Sequence, residues 1–124
     1  MATPLNPIPL ACGEVLNFHW GQITWLVSRS LDNSEKQTFG RVKIKAHDAN
    51  PLHRHPNCDE ILHVIRGKIE HTFEEKSFIM NVGDTISIPA GTLHNARALG
   101  DSDAEMVICF SSADRQTESD GEEA

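Results

Sequence analysis

The sequence lacks tyrosine and has few cysteines, no long apolar run and no basic cluster, and each lack excludes a class of protein. Its three cysteines, Cys12, Cys58 and Cys109, contain no Cys-x-x-Cys pair, so neither a disulfide framework nor a cysteine-rich zinc site is predicted. No apolar stretch approaches the roughly 20 residues that span a bilayer. The first residues lack the basic flank and apolar run of a secretory signal. We therefore expect a cytoplasmic protein with free thiols and no membrane partner.

Negative charge is concentrated near the C-terminus. The formal net charge of the 124 residues is −7, and residues 112–124 carry five acids and one base, a net charge of −4. This composition predicts an acidic disordered tail over residues 112–124. Three prolines in the first nine residues predict an extended arm over residues 1–13. Because no basic patch is present, we expect no nucleic-acid partner.

The remaining residues, 14–111, have the length of a single domain and are rich in short β-type segments. Runs of β-branched and aromatic residues predict strands at 22–27, 38–45, 60–66, 68–73, 84–88 and 104–110. Asn, Asp, Gly and Pro mark turns between these runs. No segment of ten or more residues has a capped helical period. The pattern predicts an all-β sandwich or barrel over residues 14–111.

Residues 52–60 contain the first group of potential metal ligands. Side chains alternate between faces along a strand, so His53 and His55 point the same way and Arg54 points away. Pro56 ends the strand, and Glu60 opens an apolar run that we expect to pair back as a hairpin. A carboxylate at that position would be the third protein ligand of a metal ion, beside the two imidazoles.

Residues 83–94 supply the fourth potential ligand, His94. The turn Pro89-Ala90-Gly91 redirects the chain so that His94 returns to the inside. Three imidazoles and one carboxylate suit Fe, Mn, Ni, Cu, Zn or Co better than Ca or Mg. Such a set leaves coordination positions open for water or a substrate. We therefore predict one divalent transition metal held by His53, His55, Glu60 and His94.

The two segments resemble the two motifs of the cupin superfamily. Residues 53–67 resemble the first motif, His-x-His, then Glu and Gly, and residues 83–94 resemble the second, Gly-x5-Pro-x-Gly-x2-His. The resemblance implies a single cupin double-stranded β-helix (jelly-roll) barrel of the quercetinase-like type. Two positions depart from the pattern: His47 stands where the family usually has Gly, and Ala98 where it usually has Asn.

Other polar residues have competing interpretations. His63 alternates with the strand positions that face the metal, so we expect it on the outer face. His71 shares a face with Ile69 and is either a pocket acid/base or a packed core residue, because parity alone does not show which face is inside. Arg41 and Arg97 are either substrate-carboxylate ligands or ordinary exposed strand residues.

The resemblance implies several functions that the fold itself does not separate. The first is a metal-dependent dioxygenase-like enzyme acting on a small organic substrate, with Glu60 as ligand and catalytic proton acceptor. The second is a metal-dependent isomerase or lyase of a small carbonyl or sugar-derived compound. The third is a non-catalytic small-ligand-binding cupin. The absence of tyrosine argues against cupin lyases and epimerases that use one as an acid or base. Cupin barrels commonly pair, so we also expect a homodimer.

Overall fold

The computed structural model describes residues 5–119, and strands dominate this part of the chain. A single 3₁₀ turn occupies Leu10–Cys12. The strands are β1 (Glu14–Phe18), β2 (Gly21–Val27), β3 (Thr38–Ile44), β4 (His53–Arg54), β5 (Glu60–Arg66), β6 (Lys68–Phe73), β7 (Lys76–Asn81), β8 (Thr85–Ile88), β9 (His94–Ala98), β10 (Ala104–Phe110) and β11 (Glu118–Ser119). None of the described residues forms a helix long and apolar enough to cross a membrane.

The strands form two antiparallel sheets that enclose one core. The six-stranded sheet has the order β1-β2-β3-β10-β5-β8, and the five-stranded sheet has the order β11-β4-β9-β6-β7. Strands such as β10 alternate buried and half-buried residues along their whole length, as a strand with one face in the core must. Side chains from both sheets, among them Ile44, Val64, Ile69 and Met106, are at most 1% exposed. The prediction of an all-β jelly-roll barrel is confirmed.

All six predicted strands are present, with ends that differ from the prediction by no more than one residue.

The predicted hairpin between the His53–His55 segment and the following apolar run is wrong. Strand β4 pairs with β9 and β11, whereas β5 pairs with β8 and β10 in the other sheet. The turn at Pro56 and Asn57 therefore carries the chain between sheets and does not fold it back within one. The motif consequently spans the barrel interior.

Two tight turns explain local features of the sequence. Gly67 has φ +74°, and an added Cβ would lie 2.6 Å from the carbonyl oxygen of Asp103, so only glycine fits there. His47 has φ 69°, which places a non-glycine residue in the left-handed region. Its backbone therefore adopts the conformation that glycine provides at this position in the cupin pattern, at a cost of about 1–2 kcal/mol.

The C-terminal residues contact the barrel, which the sequence did not predict. Residues 112–119 were expected to belong to a disordered tail, yet they lie against the barrel, and β11 adds to the edge of the five-stranded sheet. We call residues 112–119 the C-terminal strap. Residues 1–4 and 120–124, the outer parts of the predicted arm and tail, lie outside the described residues. The predicted domain boundaries at residues 13 and 111 stay predictions.

Candidate metal centre

The five-stranded sheet contributes the three histidines of the candidate site. His53 begins β4 and His55 follows its end, and the two side chains are 3% and 4% exposed. The intervening Arg54 has its side chain 47% exposed, as strand alternation requires. His94 begins β9 and lies directly beside His53 in the sheet. The predicted orientation of the two motif histidines is therefore present in the structure.

The six-stranded sheet contributes Glu60, the first residue of β5. Its Oε1 lies 3.4 Å from His55 Nε2 and 3.3 Å from His94 Nε2. One ligand atom from each of His53, His55, Glu60 and His94 lies within 4.8 Å of the other three, and all four residues are buried. The structure thus brings all four predicted ligands to one point between the sheets.

Hydrogen bonds fix the ring tautomers of two of the three histidines. His53 Nδ1 lies 2.7 Å from the carbonyl oxygen of Pro51, and His55 Nδ1 lies 3.0 Å from that of Gln116 and 3.1 Å from Thr117 Oγ1. A carbonyl oxygen only accepts, so each Nδ1 must carry the proton and donate it. Each Nε2 is then left with a free lone pair that faces the cluster. Metal-binding histidines in proteins have this arrangement.

His94 has a different partner, the imidazole of His71. Its Nδ1 lies 3.0 Å from His71 Nε2, and the two rings are edge to face with centroids 5.2 Å apart. His71 is 0% exposed and lines the same cavity as the four predicted ligands. The sequence did not show whether the face of β6 that carries His71 points inward, and in the structure it does. His71 is therefore a cavity residue that the ligand prediction did not include.

The unpaired atoms at the centre suit a cation. Glu60 Oε1 and His94 Nε2 are buried without a hydrogen-bond partner among the described residues. Burial alone would raise the pKa of Glu60, but the imidazoles of His55 and His94, when they carry a proton on Nε2, hold it below the ordinary range of a glutamate. Burial, helped by His94, lowers the pKa of His53 to about 3. An ionised carboxylate facing neutral imidazoles is the donor set that a divalent transition metal requires.

These buried histidines make the stability of the metal-free protein sensitive to acid. Burial, with a contribution from His94, also lowers the pKa of His71 to about 4. Since both folded values lie below the ordinary histidine value of about 6.5, acid protonates the unfolded chain first. We expect the free energy of unfolding to have its highest value above about pH 6.5. Below that pH it should fall toward pH 4, by about 1.4 kcal/mol per pH unit for each of the two histidines.

Urea denaturation of the metal-free protein at pH 7, 6 and 5 measures this slope. His71→Gln should remove the contribution of one histidine from the slope, whereas His63→Gln, which changes a histidine on the outer face of β5, should not. Equal stability at pH 7 and pH 5 would show that the buried histidines are protonated in the folded state.

The cavity around the ligand atoms is small and mostly apolar. It encloses about 20 Å³, which is room for about one water molecule. Its wall includes aliphatic and aromatic side chains from the six-stranded sheet, among them Ile23, Leu62, Met106 and Phe110. Such a wall keeps bulk water away from the ligand atoms and strengthens the electrostatic interactions between them.

The C-terminal strap contacts the site through the His55 ring. Gln116 accepts the His55 hydrogen bond at its carbonyl oxygen and donates its backbone N–H to Asn57 Oδ1 at 2.8 Å. Asn57 Nδ2 also donates to the carbonyl oxygen of Asp114 at 3.0 Å. The guanidinium of Arg115 lies over the Trp25 ring at 4.2 Å. The strap therefore supports a predicted ligand from outside the motif segments.

Several residues weighed from the sequence lie away from the cavity. His63 Nδ1 lies 2.7 Å from Thr85 Oγ1 on the outer face, Arg41 pairs with Glu105, and Arg97 donates to the carbonyl oxygen of His47. The three cysteines are free, and none belongs to the group of candidate ligands. Neither arginine therefore contributes to the candidate site.

Fold and site together define a jelly-roll barrel with a buried centre of three histidines and one carboxylate. The family model described as the cupin domain matches residues 40–110, more than half of the chain. The chain belongs to the cupin family.

Curated relatives and solved structures agree with this assignment. The chain is 31% identical over 80 residues to germin-like protein 3-8 of Oryza sativa subsp. japonica, covering 60% of this chain and 36% of that protein. It is 42% identical over 50 residues to quercetin 2,3-dioxygenase of Bacillus subtilis, covering 40% of this chain and 15% of that protein. It thus spans little more than a third of the length of the germin-like protein and less of the dioxygenase.

The fold also matches an oxalate decarboxylase of Bacillus subtilis, a protein with Mn(II) centres. The TM-score is 0.81 at 21% identity, over 96% of this chain and 34% of that one. At this identity the likeness shows the fold alone. One barrel of this chain thus corresponds to about a third of that enzyme.

Proposed function

We propose that this chain is a metal-dependent cupin enzyme that acts on a small organic molecule, with dioxygenase-like chemistry as the leading reaction class. The observation that carries the proposal is the convergence of four buried ligand atoms within 4.8 Å. Two of the three histidines are also held in the metal-binding tautomer by carbonyl oxygens. The sequence similarity to quercetin 2,3-dioxygenase supports oxygen chemistry over the alternatives.

In this proposal His53, His55, Glu60 and His94 hold one ion of Fe, Mn, Ni, Zn, Cu or Co. The ion would supply Lewis acidity toward a substrate oxygen and, where it is redox-active, electron exchange with dioxygen. Glu60 stays ionised in the apolar cavity because His55 and His94 lower its pKa. The ionised carboxylate is the form that can accept a proton from a substrate bound beside it, although the lowered pKa makes it a weak base for that step.

The size of the cavity supports a second candidate, a non-catalytic binding cupin. A cavity of about 20 Å³ admits an ion with a water-sized ligand, and a larger substrate needs the wall to move. The C-terminal strap does not line the cavity itself, but it contacts His55, which does, and hydrogen bonds to Asn57 tie it to the barrel. An isomerase or lyase remains the third candidate, since it uses the same donor set without oxygen.

Oxygen uptake by metal-reconstituted protein separates the three candidates. Metal-free protein is loaded with one metal at a time and offered a panel of small enols, flavonoids and hydroxy acids, in air and under nitrogen. A dioxygenase consumes oxygen with Fe, Cu or Ni, and His94→Ala abolishes the uptake. Anaerobic turnover with Mn, Zn or Co would replace this proposal with an isomerase or lyase. Tight retention of a compound without turnover would favour the binding module.

We also propose a cytoplasmic homodimer, without nucleic-acid or membrane partners. Large apolar side chains are exposed on two of the four edge strands, including Val15 and Leu16 on β1 and Phe78 and Ile79 on β7. Such exposure is typical of faces that a partner covers. Light scattering at micromolar concentration is expected to give twice the chain mass, and a monomer would contradict the dimer.

A further inference from the structure

We propose that His71 is a positioning residue of the metal centre. Its Nε2 accepts the Nδ1–H of His94 and so holds His94 in the tautomer that leaves Nε2 free for a metal ion. The inference rests on the metal binding proposed above and adds a residue that lies outside both motif segments.

Packing holds the two rings in place for this role. His71 lies in the middle of β6, which pairs with β9 beginning at His94. It is 0% exposed, and its Nε2 lies 3.0 Å from His94 Nδ1. Its other face lies edge to face against Phe73, with centroids 5.5 Å apart. A buried imidazole confined in this way has little freedom to turn away from His94.

Neither His71 nor His94 by itself fixes which ring donates in the hydrogen bond between them. The partners of His53 and His55 include carbonyl oxygens, which force the proton onto Nδ1. An imidazole both donates and accepts, so the His71–His94 pair has two arrangements. In one, His94 carries its proton on Nε2, facing Glu60 Oε1 at 3.3 Å and blocking a ligand position. In the other, Nε2 is free and Nδ1–H points at His71.

Metal binding is compatible only with the second arrangement. His71 Nε2 must then be the acceptor, and the proton of the His71 ring must lie on Nδ1. That atom is buried and has no hydrogen-bond partner within residues 5–119, so this tautomer leaves the His71 Nδ1–H unpaired, a cost that the bond from His94 Nε2 to the metal ion must offset. If residue 71 could not accept, the unpaired N–H would be that of the ligand itself, and His94 would also lose the partner that orients its ring, which disfavours binding.

Two substitutions in the full chain separate acceptance from packing. His71→Leu removes the acceptor, and we expect zinc affinity, measured by chelator competition, to fall about 10- to 100-fold, the usual loss for such a partner. His71→Gln keeps an acceptor oxygen near the position of Nε2, and its affinity should stay within about three-fold of the parent. His63→Leu, on the outer face, is the matched control and should not change the affinity.

Nitrogen-15 NMR of the zinc-loaded parent tests the tautomer without any substitution. We expect the His71 ring to be protonated at Nδ1 and unprotonated at Nε2. A proton on His71 Nε2, a Leu variant that binds zinc like the parent, or a Gln variant as weak as the Leu variant would overturn the inference. A parent that binds no zinc or other divalent transition metal would instead refute the metal centre itself.

Discussion

His94→Ala is expected to lower the affinity for divalent transition metals by more than about 100-fold while the barrel stays folded. Losing only a hydrogen-bond partner of a ligand costs about 10- to 100-fold, and this change removes a ligand. It also leaves Glu60 Oε1 without one of its two imidazole neighbours. His53→Ala should have a comparable effect because its Nε2 completes the same group. Metal content per chain after dialysis, with circular dichroism for the fold, measures both.

The matched control for this prediction is His63→Ala. His63 lies on the opposite face of β5 from Glu60 and contacts Thr85, so its removal should leave the metal content unchanged. About one metal ion per chain in the His94→Ala protein would mean that the ligand assignment is wrong. Loss of metal in the His63 variant would point to an indirect effect of folding.

The strands that the sequence predicted well share a physical feature. Strands β5, β6 and β10 consist largely of β-branched and apolar residues that alternate with polar ones, and turn residues bound them. Among the strands that were missed, β4 and β9 lack this signal. Strand β4 has two residues, and β9, with the sequence HNARA, is made of weak strand formers that only their neighbours hold in place.

The four predicted ligands came together because their spacing is tied to the turns between them. Gly91, for example, has φ +81° and donates its backbone N–H to the carbonyl oxygen of His55, which joins the two motif segments directly. The role of His71 could not be predicted, since alternation identifies residues that share a face but not the face that is buried. The hairpin prediction failed for a related reason: sequence does not reveal which sheet a short strand joins.

The acidic composition of the C-terminal residues predicted a disordered tail, and it gave no indication of the contacts that the C-terminal strap makes with the barrel. Low hydrophobicity and net charge normally indicate that a segment cannot bury enough surface to fold. Here the strap is held mainly by hydrogen bonds from its backbone, such as those joining Asp114 and Gln116 to Asn57. Backbone groups are present in every sequence, so composition gives no sign of this kind of attachment.

Deleting the strap is therefore expected to weaken the metal centre. A chain that ends at Ala113 loses both acceptors of His55 Nδ1, Gln116 and Thr117, together with the β11 partner of β4. Without those acceptors the tautomer of His55 is no longer fixed. We expect the metal affinity to fall about 10- to 100-fold, again measured by chelator competition on folded protein.

The control for the truncation is a chain that ends at Ser119, which keeps every described strap contact and should bind metal like the parent. Asn57→Ala loosens the strap in a chain of full length, because Asn57 joins both Asp114 and Gln116 to the barrel. It should weaken binding in the same direction as the truncation. If both variants bound metal like the parent, the contacts of the strap with His55 would not contribute to metal affinity, and this prediction would be wrong. Should the truncated chain gain turnover of larger substrates, the strap would limit access to the cavity, which links the segment directly to the choice of substrate.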